Sequence, residues 1–170
     1  MADVTLEPAG PAHARTLENL FQLYVHDFSE LWFDRTDVGE LDETGRFQSY
    51  IGAEKFWTEP CNSAWLIRAD GHLAGFALLG RESHSGAPAD HDMAEFFVAR
   101  KYRRDGVGYR AACKLIGERP GRWEIAVTRR NVGAQHFWRK VAADLAAGPV
   151  EEHDLDDAKW NGLILRLTVA

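Results

Sequence analysis

Met93-Ala94-Glu95-Phe96-Phe97-Val98, followed by Ala99-Arg100-Lys101-Tyr102-Arg103-Arg104-Asp105-Gly106-Val107-Gly108 and the segment Tyr109 to Ile116, decides the fold of this chain. The apolar run Met93 to Val98 predicts a strand. Beyond the loop, Val107, Ala111 and Leu115 alternate with Ala112 and Ile116 on neighbouring stripes, which predicts an amphipathic helix packed on a sheet. Gly106 and Gly108 let the backbone turn tightly and bring bare N–H groups close to a ligand. The helix beginning near Val107 adds unpaired donors and the positive end of its dipole, an arrangement that binds phosphate. Arg103 and Arg104 contribute charge and forked donors. Strand, loop and helix therefore predict an anion cradle suited to a pyrophosphate.

Working outward, Pro120-Gly121 ends this helix and Trp123 to Val127 reads as a short strand. A second helix opens at Asn131, a good N-cap residue, and buries Ala134, Phe137, Trp138 and Val141. On these residues the chain resembles the GCN5-related N-acetyltransferase (GNAT) family. Arg103-x-x-Gly106-x-Gly108 is similar to that family's acetyl-CoA signature, and Asn131-x-x-Ala134-x-x-Phe137-Trp138 is similar to its next motif, at the expected separation. Gly106-x-Gly108-x-x-Ala111 also satisfies a dinucleotide fingerprint, but seven residues separate Val98 from Gly106, and the next strand ends in Thr128-Arg129-Arg130 rather than an acid. A nicotinamide oxidoreductase is thus the lesser alternative. A coenzyme-binding module without chemistry is the other.

The resemblance implies an α/β fold, one acetyltransferase domain over residues 1–170, with a mixed, mostly antiparallel central sheet and about four helices. It also implies direct acetyl transfer from acetyl-CoA to a primary amine, either a small molecule or a peptide. Backbone groups of Phe96, Phe97 and Val98 are expected along the pantetheine arm. Arg103, Arg104, Asp105, Gly106, Val107, Gly108 and Tyr109 are expected at the pyrophosphate. Asn131 and Phe137 complete the coenzyme contacts. His26 and Asp27, between the first two helices, and Trp138 are candidate acceptor contacts; local hydrogen bonding is the competing reading for His26, packing for Trp138.

Glu95 stands among apolar neighbours, where an ionisable group is costly unless paired or used. It is the expected general base, with Asp92 as fallback; a structural ion pair with an arginine is the competing reading. Strict alternation puts the two carboxylates on opposite faces unless a bulge intervenes. Trp138 occupies a position where the family usually has Tyr. An indole N–H only donates and cannot deliver a proton, so Trp138 is expected to pack, leaving Tyr102, Tyr109 or water as proton sources.

The rest of the chain fits around this unit. Residues 3–8 alternate as a first strand. Residues 12–27 carry Leu17, Leu20, Phe21, Tyr24 and Val25 at helical spacing, with Tyr24 expected in the core. Residues 26–46 read as a loop over the site, and Arg46 to Trp57 as a short second helix. Two apolar runs flank Asp70-Gly71, which predicts a hairpin with a type I′ turn. Gly75 marks a bulge or a close approach. Residues 81–91 read as a polar loop. The acidic segment Glu151 to Asp157 reads as a solvated turn, after a weakly marked strand near 144–151, and Asn161 to Val169 as a final strand.

Composition bounds the rest. The length of 170 residues suits one domain. A net charge of −6 argues against broad nucleic-acid binding. Cys61 and Cys113 form no metal-ligand pattern, and no metal is expected. No signal peptide or spanning segment is evident, so a cytoplasmic location is expected, with a homodimer left open.

Overall fold

The structure is a computed structural model that describes residues 1–48, 52 and 54–170. Its strands are β1 (Val4–Ala9), β2 (Ser63–Ala69), β3 (His72–Gly80), β4 (His91–Val98), β5 (Gly121–Thr128), β6 (Glu151–Asp156) and β7 (Asn161–Val169). Its helices are α1 (Ala14–Ser29), α2 (Lys55–Thr58), α3 (Val107–Gly117) and α4 (Val132–Leu145). The strands form one sheet in the order β1-β2-β3-β4-β5-β7-β6. Every neighbouring pair is antiparallel except β4 with β5. This is the expected mixed sheet with helices on both faces.

One face is covered by α3 and α4. Ala112, Leu115, Ile116, Trp138, Val141 and Ala142 pack there against the fully buried Trp123 and inward residues of β5 and β7. The other face is covered by α1 and α2, where Leu17, Leu20, Phe21, Tyr24, Val25 and Phe56 meet Leu66, Phe76, Leu78 and Phe97. The helical stripes read from the sequence thus become the two core layers.

Two irregularities position the site. First, β4 and β5 pair only at His91↔Trp123 and Asp92↔Glu124, then diverge. The sheet is therefore split beyond Met93. Second, β3 and β4 slip register between Leu78 and Leu79: Leu78 faces Glu95 but Leu79 faces Met93. Ala94 is the extra residue of a β-bulge. Leu78 and Gly80 lie on one face of β3, so their partners Glu95 and Asp92 share a face of β4 as well. The bulge that strict alternation did not foresee brings both carboxylates to the α1 side.

Gly75 serves both anticipated purposes. It lies beside the register shift between β2 and β3, and a Cβ there would stand 2.0 Å from the Phe97 carbonyl oxygen. The hairpin turn has positive φ at Asp70 (49°) and Gly71 (76°), as type I′ demands.

Three readings need correction. Helix α1 runs on to Ser29 and continues as a 3₁₀ turn over Glu30–Trp32, so the proposed loop begins later. The expected helix from Arg46 does not start there: Asp42 accepts from the N–H groups of Thr44 and Arg46 in a tight turn, and Leu41 bridges Phe47. Only Lys55–Thr58 is helical, while residues 49–51 and 53 of that expected helix lie outside the described residues. The strand expected near 144–151 is displaced: α4 runs on to Leu145, and the acidic segment read as a turn instead forms strand β6 over Glu151–Asp156, held by backbone pairing to β7. As an edge strand it needs no apolar face, and its charges guard an open edge.

Candidate active site

Where β4 and β5 part, two cavities meet. One, about 530 Å³, runs between the glycine loop and the start of α4. It is lined by Phe96, Phe97, Val98, Arg103, Gly106, Gly108, Tyr109, Asn131 and Phe137, with Asp27 and Arg100 at its rim. The other, about 430 Å³, lies on the α1 face between α1, α2, the 82–84 loop and β5. Tyr24, Phe28, Phe96, Asn131, Ala134 and Trp138 line both. Nine of the residues expected at the coenzyme, Phe96, Phe97, Val98, Arg103, Gly106, Gly108, Tyr109, Asn131 and Phe137, line one cleft, whereas Arg104, Asp105 and the fully buried Val107 do not; the carboxylates Glu95 and Asp92 line the other.

The first cleft has features that suit an anion at one end and an extended ligand beside it. Gly106 adopts a left-handed conformation (φ 68°) and precedes α3, whose N-terminus has no side-chain cap. The first-turn N–H groups therefore remain available for an anion. A Cβ at Gly108 would touch Val98, Phe96 and Phe137 at 3.5–3.8 Å, so glycine keeps the passage between those side chains open. Arg104 is exposed and has no ion pair among the described residues. The cleft fits a pantetheine pyrophosphate on these grounds.

Arg103 is placed differently from the expectation of a free fork. Its Nε donates to the Val98 carbonyl at 2.7 Å, its guanidinium lies over the Phe97 ring, and it pairs with Asp27. Arg103 therefore braces the end of β4 against α1, leaving backbone N–H groups and Arg104 as the open donors. Asp27 also accepts from Arg100 Nε at 2.9 Å. Burial alone would raise its pKa, but Arg103 and Arg100 outweigh burial and hold the carboxyl below the usual value. Asp27 thus sits with the coenzyme loop rather than in the second cavity. His26 is exposed, faces Phe47 and lines neither cavity. Its ring lies 3.9 Å from the Asp27 carboxylate, beyond hydrogen-bond range.

In the second cavity, Glu95 accepts a hydrogen bond from the Tyr24 hydroxyl. No arginine pairs with Glu95 among the described residues, which removes the structural ion-pair reading. Burial pushes the Glu95 carboxyl up to about 7, against the opposing pull of the Tyr24 hydroxyl. Asp92, 5% exposed, accepts from the Glu82 N–H at 2.9 Å, and burial pushes it up to about 6. The sequence placed Tyr24 in the core, and it is buried, yet its hydroxyl reaches across to β4. The available signal was a phenol on an otherwise non-polar helix face, since a buried Tyr hydroxyl usually finds a partner.

Neither of the other tyrosines considered takes that place. Tyr109 donates to Asp144 at 2.7 Å, which raises its pKa further. Tyr102 lines neither cavity and packs beside Val98 and Val107. Asn131 caps α4 through Oδ1, which accepts from the Ala134 N–H at 3.1 Å; its amide N–H₂ has no partner among the described residues and faces the junction. Trp138 is 6% exposed and packs edge-on against Phe96 and Phe137. Trp138→Phe is expected to cost about 1–3 kcal/mol of stability through lost apolar contact. Turnover should stay within roughly tenfold, below the loss typical of an acid–base group. Thermal melts beside steady-state rates check this; a far larger fall in turnover at unchanged stability would give the indole a part in the chemistry.

Among the described residues, no group of three or more His, Cys, Asp or Glu side chains is placed to hold a metal. No described helix is long and apolar enough to cross a membrane. A 3₁₀ turn (Arg100–Tyr102) stands between β4 and the glycines, and Arg130, at the end of β5, pairs with Asp34. The acidic ribose contact of a dinucleotide fold is therefore missing.

The fold is shared with solved acetyltransferases. One from Thermus thermophilus superposes with a TM-score of 0.63 at 14% identity, covering 99% of this chain and 97% of that one. A GNAT-family acetyltransferase from Staphylococcus aureus gives 0.61 at 12% identity, covering 99% and 100%. A GNAT-family acetyltransferase from Elizabethkingia anophelis, solved with acetyl-CoA bound, gives 0.53 at 9% identity and 98% of both chains. No curated protein matches the sequence. Residues 17–142 match the model of the acetyltransferase (GNAT) family. With that match spanning most of the chain and the sheet split at β4 and β5, this protein belongs to the GNAT acetyltransferase family.

Proposed function

We propose that the chain transfers the acetyl group of acetyl-CoA directly to a primary amine. The observation that carries this is the position of Glu95: an elevated carboxylate, held by Tyr24, in the second cavity beside its junction with the coenzyme cleft. Acetyl-CoA, when bound, supplies the thioester whose acetyl group passes to the amine. The chain's own part is largely to hold two reactants in register. Backbone groups of Phe96 to Val98, exposed where β5 leaves β4, would orient the pantetheine arm, and α3's first turn with Arg104 would hold the pyrophosphate. An amine must lose a proton to attack, and a carboxyl with a pKa near 7 can accept it near neutral pH. Tyr24 lines both cavities and bonds Glu95, so it can pass a proton toward the coenzyme side and recover one from Glu95. This replaces the hydroxyl that Trp138 lacks.

The test is incubation with acetyl-CoA and a broad panel of amines, followed by detection of free thiol. Thiol release that depends on the amine supports the reading. Binding of coenzyme with no release for any amine would instead support a binding module. Acetyl-CoA itself is expected to bind with a dissociation constant of micromolar order and to weaken as salt is raised, because phosphate contacts are screened. Absence of heat in calorimetry at millimolar coenzyme would defeat the coenzyme assignment.

A further inference from the structure

The acceptor cavity carries more negative charge than its own cations balance. Glu82, Asp92 and Glu95 line it, as does Glu124. Arg166 neutralises Glu124 at 2.6 Å. Of the lining cations, Arg35 is committed to Asp37, and only Lys55 remains without an ion pair among the described residues. His84, also on the wall, packs against Trp160. The four undescribed positions, Ser49, Tyr50, Ile51 and Ala53, add no cation. Glu82 lies on the exposed side, so Asp92 and Glu95 are the inner carboxylates, and Lys55 is the one lining cation left to face them.

Asp92 shows where a second positive charge would go. It is 5% exposed, yet only Oδ1 has a donor, the Glu82 N–H; Oδ2 has none among the described residues. Oδ2 is not one of the fully buried polar atoms left without a partner, so it opens on the cavity and can accept from a cation there. The register shift sets Asp92 on the same face as Glu95, opposite Gly80 and Leu78 respectively. Same-face neighbours in a strand stand about 6.6 Å apart. Glycine at position 80 leaves room, since a Cβ there would come within 2.7 Å of Asp92 Oδ1. The space also continues past Asp92 into an adjoining cavity of about 250 Å³. Trp32, Phe56 and Trp160 wall the acceptor cavity with surfaces that suit both methylene groups and cations.

We propose that the acceptor is a short aliphatic diamine: one nitrogen is presented to Glu95 for acetylation, and the second, still an ammonium, is held by Asp92. This rests on the acetyl-transfer reading and names its substrate class. It makes Asp92 the specificity residue and leaves Glu95 alone as the base, which resolves which of the two carboxylates serves.

Diaminobutane, aminobutanol and butylamine, with acetyl-CoA and the wild-type protein, test it without any variant. The diamine should exceed both others in kcat/KM by about 10- to 100-fold, the range of one charge-assisted hydrogen bond. In Asp92→Asn that ratio should shrink to within about threefold, mainly through a higher KM for the diamine. Equal kcat/KM for the three amines, or an undiminished ratio in Asp92→Asn, overturns the proposal. If coenzyme A binds but no amine releases thiol, the transfer reading has failed by itself. Calorimetry of the coenzyme A complex then decides the diamine separately. Binding of diaminobutane at least about tenfold tighter than butylamine keeps the assignment of the cavity, and equal binding removes it.

Discussion

Glu95→Gln is expected to lower kcat by about 10²- to 10⁴-fold while leaving acetyl-CoA affinity within a few-fold, the size of effect expected on losing a general base. Glutamine keeps the shape and can still accept from the Tyr24 hydroxyl, so the loss would report the proton acceptor and not the packing. The pH dependence should agree. Glu95 works as the carboxylate, and burial pushes its carboxyl up to about 7, so wild-type kcat should rise through about pH 7 and level off above it. The substitution should remove that rise. Stability carries the opposite sign. A carboxyl whose pKa is raised on folding binds more protons in the folded state, so its ionisation costs stability as pH climbs from its ordinary value toward 7. Glu95→Gln should therefore melt higher than wild type near pH 8, with less or no gain near pH 5. Full activity across the pH range would remove Glu95 from the chemistry. A comparable fall in Asp92→Asn with every amine, and none in Glu95→Gln, would move the base to Asp92.

How far the sequence reveals this site depends on how local each feature is. Glu95 was legible because an acid inside an apolar strand is costly wherever the strand lies. The glycine loop was legible for the same kind of reason: Gly106 needs a left-handed φ, and Gly108 sits in a crowded passage. The bulge at Ala94 was not, because it is a property of the pairing with β3 and leaves no mark on β4 alone. With it went the fact that Asp92 and Glu95 share a cavity. Tyr24 was hidden by distance, since its partner is 71 positions away on another element. Arg103 was misjudged because a guanidinium reads the same whether it waits for phosphate or braces a helix; only the positions of Asp27 and the Val98 carbonyl decide. The acidic segment 151–156 misled because an edge strand is held by its backbone and can carry almost any polar side chain outward.

The second large effect concerns the coenzyme cleft. Gly108→Val should weaken acetyl-CoA binding on the order of 10²-fold or more while the protein stays folded. Gly108 has no unusual backbone angle, contrary to a reading that treats both glycines alike, so a side chain can be built there without strain. A single Cβ would lie at ordinary contact distance, 3.5 Å from Val98 and 3.7–3.8 Å from Phe96 and Phe137. Gly108→Ala should accordingly bind within about tenfold of wild type. The two further methyls of valine have no such room, because β-branched side chains have few rotamers in a helix and cannot swing away from those walls. Gly106→Val should differ in kind. Its φ of 68° is a left-handed conformation that a β-branched residue adopts only with strain, so both binding and thermal stability should fall. Calorimetry and melting curves on the three variants separate a blocked passage from a strained loop. If Gly108→Val binds coenzyme like wild type, the passage between Val98, Phe96 and Phe137 is not the route of the pantetheine arm, and the cleft has been assigned to the wrong ligand.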